Sequence, residues 1–217
     1  MKKFAANLIV VLGAFCFITL SSALATHITS SSDPALVGAT LIDFESQTIG
    51  VYNSLTIGVV TFTANDNHLR VGNEYAGNYG TTGKSLDNGT YDSEGFFGLT
   101  INFSSPTSAF GFKWGAAEPS AIWNLRAYDS SNNLLDTYLL PDTSSDPTGA
   151  FVGLAVSNIS YATLINSTDY DWIFIDNFTY QPGGGGGGEV PEPATMLLVG
   201  SGLIGLAGYG RKKFFKK

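Results

Sequence analysis

The 217-residue chain carries 11 basic and 18 acidic side chains, a formal charge of −7 at neutral pH, and one cysteine. Between Thr26 and Gly188 the imbalance sharpens to four bases against 16 acids, about −12, a charge that repels nucleic acid and anionic lipid and attracts divalent cations. The lone Cys16 lies in an apolar N-terminal run, so no disulfide framework serves the rest of the chain, and its stability must come from a packed core, with or without a metal.

In chain order, Lys2 and Lys3 precede an apolar run from Phe4 to Leu20 and then Ala23-Leu24-Ala25, a small-x-small site that places cleavage before Thr26. Residues 1–25 read as a secretory signal peptide, with an uncleaved N-terminal anchor as the plainer alternative. Residues 26–180 suffice for one domain with a sizeable core. Thr26 to Pro34 reads as a polar leader. Short β-branched and aromatic runs then alternate with Gly, Asn, Asp, Ser and Pro. Strands are expected near 40–45, 59–64, 97–103, 109–114, 122–128, 134–140, 150–156, 162–165 and 172–180. Alternation is clearest at Leu99, Ile101 and Phe103 and at Phe110, Phe112 and Trp114, and Tyr128 to Leu134 reads as a hairpin turn. Nine antiparallel strands without helices imply an all-β, jelly-roll-like antiparallel β-sandwich. Residues 65–95, rich in Gly, Asn and Tyr, are far longer than an ordinary connection and are either a binding loop or a decoration with a short strand at His68 to Val71.

Catalytic constellations are scarce. His68 is the one histidine beyond the leader's His27, no His/Cys set has metal-ligand spacing, and no Glu-x-Asp-x-x-Glu strand motif occurs, so a non-enzymatic domain is expected. Planar rings can stack on pyranose faces, and Tyr75, Tyr79 and Tyr91 in the long loop and Trp123 on a strand are the candidates; Trp114 and Trp172 read as core. Leu41-Ile42-Asp43-Phe44-Glu45 and Ile175-Asp176-Asn177-Phe178 resemble the first and last strands of jelly-roll carbohydrate-binding modules. That resemblance implies a structural calcium ion held by Asp43, Glu45 and Asp176, the first two sharing one face of a strand.

Gln181 to Glu189, containing Gly183 to Gly188, is a flexible linker. Residues 190–217 begin Val190-Pro191-Glu192-Pro193, continue through an uncharged apolar run at 194–210, and end in a cluster containing Arg211, Lys212 and Lys213. A helix over 194–210 is about 25 Å long at roughly 1.5 Å per residue, marginal against a hydrocarbon core of roughly 30 Å. The basic cluster puts that end in the cytoplasm and the domain on the far side. These three parts, in order and at this spacing, resemble the PEP-CTERM sorting signal. The resemblance implies export and processing near Pro191–Pro193 by an exosortase-type membrane protease after transient anchoring in the inner membrane, then delivery to the cell surface or matrix of an exopolysaccharide-producing cell. Two functions follow from the whole reading: a structural or adhesive surface component of biofilm, or a carbohydrate-binding module for the cell's own exopolysaccharide. A polysaccharide-acting enzyme is the weaker third.

Overall fold

A computed structural model describes residues 25–64, 68–88, 98–167 and 171–182. Ala23, Tyr91, residues 183–189 of the linker, Val190 to Pro193, the apolar run 194–210 and the basic cluster lie outside these residues, while Gln181 at the start of the linker is bonded to Ala35, Val37 and Ala109. Among the described residues no helix is long and apolar enough to cross a membrane.

Twelve strands form among the described residues: β1 Thr26–Ile28, β2 Thr40–Ile42, β3 Gly50–Tyr52, β4 Ser54–Ile57, β5 Val60–Ala64, β6 Leu69–Gly72, β7 Ser85–Asp87, β8 Gly98–Ala116, β9 Trp123–Tyr128, β10 Leu134–Leu139, β11 Ala150–Asn166 and β12 Ile173–Tyr180. Their pairing follows the order β10-β9-β11-β8-β12-β7-β6-β3, with β1 added to β11, β2 to β12, and β4 to β5, which pairs with β8. The fold is a jelly-roll-like antiparallel β-sandwich.

Two long strands make the sandwich. Four runs expected as separate strands are halves of β8, 19 residues, and β11, 17 residues. The first half of β8 lies between β5 and the second half of β11, and its second half lies between the first half of β11 and β12. Leu99, Ile101 and Phe103 are buried before the bend and Phe110, Phe112 and Trp114 after it. Inward parity therefore switches from odd to even across Ser104 to Ser108, so both halves face one core. In the bend, Thr107 Oγ1 donates to the carbonyls of Ala109 (3.0 Å) and Gln181 (2.7 Å). β11 turns the same corner where its register slips between Ala155 and Tyr161, with Asn158 at φ 67°.

The core is aromatic. Phe178 packs against Phe62 edge-on at 5.1 Å and lies nearly parallel to Phe112 at 6.0 Å, offset contacts that add to the burial of apolar area. The hairpin turn after Tyr128 forms as expected, with Asp129 Oδ1 accepting from the amides of Ser131 and Asn133 and Asn132 taking φ 64°. The leader is not wholly a leader: β1 pairs with β11, and Ile28 is buried with Leu36, Ala109 and Phe151 in a second, smaller core.

Candidate functional site

The segment joining β6 to β7 lies inside the stretch that resisted assignment from sequence, and it is folded back on itself. The amide of Gly77 donates to Thr81 O (2.9 Å) and that of Asn78 to Tyr75 O (2.8 Å), while Thr81 Oγ1 donates to the carbonyls of Tyr75 (2.7 Å) and Asn78 (2.9 Å). Thr81 is buried, so its hydroxyl staples the loop from inside. Facing it is the connection between β10 and β11, where Thr143 Oγ1 accepts the amide of Ala116 (2.8 Å) and Asp146 Oδ1 accepts from the Thr148 amide (2.8 Å) and hydroxyl (2.6 Å). The two loops are tied together by Gly80 N donating to Pro147 O at 3.0 Å.

Between them lies a cleft of about 320 Å³, lined by Tyr75, Asn78 and Tyr79 from one loop and Ser144, Ser145, Asp146 and Pro147 from the other. The volume is that of a small-ligand site, roughly 300–1,000 Å³. Tyr79 stacks on Phe174 at 4.8 Å and 12°, and Tyr75 meets Trp172 edge-on at 4.8 Å, so both rings are braced from behind. Both tyrosines stay half-buried, and the Tyr75 hydroxyl is pushed above the usual phenol range, first by burial. Tyr79 holds φ 52°, a left-handed conformation rare outside Gly, Asn and Asp. The loop is seated tightly enough to hold it there: a Cβ on Gly115 of β8 would overlap the Tyr79 backbone oxygen, and a Cβ on Gly149 would lie 3.0 Å from Gly80. Asp146 is exposed, and its carboxyl is held below the ordinary carboxylate range, chiefly by the Thr148 hydrogen bonds.

The carboxylates expected to hold calcium are arranged differently. β2 ends at Ile42, and Phe44 takes φ 60° to bury its ring, so Asp43 and Glu45 do not share a strand face. Asp43 Oδ1 accepts the amide of Glu45 at 3.1 Å. Asp176 is buried on β12 beside a register slip at Asn177, with Oδ2 accepting from the Thr82 amide (2.9 Å) and hydroxyl (3.0 Å) and Oδ1 accepting the Asn177 amide (2.6 Å). Burial, opposed by those bonds and helped by the charge of Glu45, pushes the Asp176 carboxyl up. Glu45 Oε1 accepts the Lys84 amide at 2.8 Å, and the Lys84 ammonium donates to the carbonyls of Glu45 (2.8 Å) and Gln47 (2.7 Å). A Cβ on Gly83 would overlap Glu45 Oε1, so the chain passes directly against that carboxylate. Among the described residues no three acidic, His or Cys side chains are grouped to hold a metal. Both Asp176 oxygens and Glu45 Oε1 already accept protein donors, and the Lys84 ammonium lies against the Glu45 and Gln47 carbonyls, so the three carboxylates are not gathered into one open set.

Trp123 corrects another expectation. It is 2 % exposed, and its Nε1 donates to Asp171 Oδ2 at 2.8 Å, so it offers no face to a sugar. Asp171 Oδ1 also accepts the amides of Ala117 (3.0 Å) and Glu118 (2.7 Å), which makes this buried carboxylate a structural tie. Trp114 is core, as expected, while Trp172 is half-buried behind the cleft. Tyr75 and Tyr79 are brought together; Asn78, Ser144, Ser145 and Asp146 were not anticipated, and the run Pro141 to Pro147 of turn-forming residues between two strands was the available signal.

No curated protein matches the chain. Among solved structures it is similar to TmCBM61 in complex with β-1,4-galactotriose (12 % identity, 64 % of this chain and 94 % of that one, TM-score 0.43) and to a cleaved adhesin domain of Lys-gingipain from Porphyromonas gingivalis (15 %, 67 % and 99 %, TM-score 0.42). It is also similar to CsCBM6-3 from Clostridium stercorarium in complex with cellobiose (14 %, 66 % and 94 %, TM-score 0.36). At these values none of them bears on what this chain binds. The family comparison concerns the tail, including Val190 to Pro193, Arg211 and Lys212: residues 189–212 match, and the chain carries a PEP-CTERM protein-sorting motif.

Proposed function

We propose that this is an exported, non-enzymatic surface protein, sorted through its PEP-CTERM tail by an exosortase-type protease, whose sandwich binds carbohydrate of the surrounding exopolysaccharide in the cleft between the Tyr75–Tyr79 and Ser144–Pro147 loops. The observation that carries the binding role is the composition of that cleft: two braced tyrosine rings and an amide on one loop, a serine pair and one ionised carboxylate on the other. A pyranose has the matching chemistry, with an apolar C–H face for the rings and hydroxyls for the polar rim, and rigid walls limit the entropy lost on binding. The non-enzymatic role is supported by the single carboxylate among the lining residues, since most glycoside hydrolysis uses two flanking the scissile bond.

The test is glycan binding by the full chain in mild detergent, with and without Tyr79→Asn. Asn accepts the left-handed backbone of Tyr79, so this substitution removes the ring and keeps the loop. Affinity for a captured polysaccharide is expected to fall on the order of tenfold or more, as for loss of an aromatic anchor, with melting temperature little changed. Wild-type affinity in the variant would remove the cleft from the binding site. Turnover of the polysaccharide by wild type would restore the enzyme reading. A surface-extracted protein lacking residues 194–217 by intact mass would support the sorting role, and a full-length mass would make the tail a permanent C-terminal anchor instead.

A further inference from the structure

Resting on the carbohydrate reading above, we infer that the cleft selects sugar chains bearing free, protonated amines over chains bearing uronate or sulfate groups. Asp146 is the one charged residue among those lining the cleft. Its Oδ1 is engaged by Thr148, while Oδ2 has no hydrogen-bond partner among the described residues, so one oxygen of an exposed carboxylate remains to meet a ligand. Lys113 of β8 bears on Asp146 electrostatically but is not among the lining residues. Arg70, whose field reaches Tyr75, is likewise not among the lining residues and is already forked between Asp87 (Nε to Oδ1, 3.0 Å) and Glu74 (Nη1 to Oε1, 3.0 Å). An anionic sugar would therefore meet a carboxylate with no lining cation to pair with it. An ammonium would meet Asp146 and the faces of tyrosine rings, which attract cations. The domain's charge of about −12 adds a long-range field of the same sign preference, but ions screen it beyond about 8 Å at physiological salt. The Asp146 contact is short-ranged and survives that salt.

The full chain in mild detergent would be titrated at mildly acidic pH and physiological salt with three oligosaccharides of matched length: a glucosamine oligomer, its N-acetylated counterpart and an oligogalacturonide. The amine-bearing chain is expected to bind about tenfold more tightly than the neutral one, and the oligogalacturonide not measurably. Asp146→Asn, which keeps the Oδ1 bonds to Thr148, is expected to bring the amine-bearing and neutral chains within threefold of each other. Asp129→Asn removes the same charge in the β9–β10 turn and should leave the tenfold preference intact. Equal effects of the two substitutions would assign the preference to general charge and overturn the inference, as would equal binding of the oligogalacturonide. In both cases neutral binding that Tyr79→Asn abolishes would leave the carbohydrate reading standing. Failure of all three sugars to bind would overturn both.

Discussion

The loop between β6 and β7 passes through two polar neighbourhoods that differ in one respect. Its second half, Thr82 to Lys84, threads between Glu45 and Asp176, and there the carboxylates accept the loop's amides and the Thr82 hydroxyl while the Lys84 ammonium donates to the carbonyls of Glu45 and Gln47. Its first half, Tyr75 to Tyr79, matches its backbone groups internally but leaves two aromatic rings and an amide beside the cleft. A polar cluster that satisfies itself is structure, because each lost partner would leave a buried group unpaired. A rigid loop that satisfies its backbone and leaves side chains over is a site. The carboxylates follow the same division: Asp171 and Asp176 are buried and raised, whereas Asp146 is exposed and lowered.

The largest expected break in that contrast is Asp176→Ala. Thr82 N, Thr82 Oγ1 and Asn177 N would lose their acceptor, and although exposed Thr82 and half-buried Asn177 are partly rehydrated, three lost bonds to a carboxylate at about 1 kcal/mol each put the cost at about 3 kcal/mol. For a domain this size that is roughly 6–12 °C in Tm, measurable by calorimetry. The pH dependence has a definite sign. The folded carboxyl is raised, so below the ordinary carboxylate range its contribution is fully present, and it is lost as pH rises through the raised value. Asp176→Asn stays neutral throughout. Its cost relative to wild type should therefore shrink from pH 4 to pH 7; a cost that grows over that interval would mean the carboxylate is stabilised, not penalised, by its site.

Gly115→Ala addresses the other neighbourhood. The new methyl would meet the Tyr79 carbonyl from the backbone of β8, where the strand cannot retreat, and overpacking of this kind costs about 1–3 kcal/mol. The effect on glycan affinity should exceed the effect on Tm, since lifting Tyr79 disturbs the ring on Phe174 while the core beneath stays closed. Loss of stability with unchanged affinity would separate the cleft from Tyr79.

How much of this was legible depended on whether the signal was local. The alternation in β8 located inward residues correctly on both sides of Pro106, but the Ser-Pro segment reads as a turn, and only the switch of parity reveals one strand bending between sheets. Trp123 shares parity with Leu125 and Ala127, both buried, and that alternation already pointed its ring inward. For Asp43 and Glu45 parity misled, because the left-handed turn at Phe44 ends the strand, and nothing in five residues announces a positive φ on phenylalanine. The tyrosines of the cleft were named from the loop's composition. Their partners Ser144 to Pro147 come from another connection, joined through the Gly80–Pro147 hydrogen bond, a contact of tertiary origin.

The smallest effect is expected from calcium. A ligand that binds only the native state stabilises by about 2.7 kcal/mol at a hundredfold excess over Kd, which would raise Tm by several degrees. Here the Lys84 ammonium already donates to the carbonyls of Glu45 and Gln47, and both oxygens of Asp176 are bonded. An ion entering at Asp176 and Glu45 would compete with the Thr82, Asn177 and Lys84 amides for the same oxygens, so the gain from new ligation is offset by what it breaks. Tm should be equal in millimolar calcium and in EDTA at matched ionic strength, any residual rise being reproduced by sodium and surviving Asp142→Ala, an exposed loop carboxylate. A calcium-specific rise of several degrees that Glu45→Ala or Asp176→Ala abolishes would show that these carboxylates exchange their amide donors for a divalent ion. The self-satisfied half of the loop would then be as open to ligands as the cleft, and the division between the two neighbourhoods would have to be redrawn.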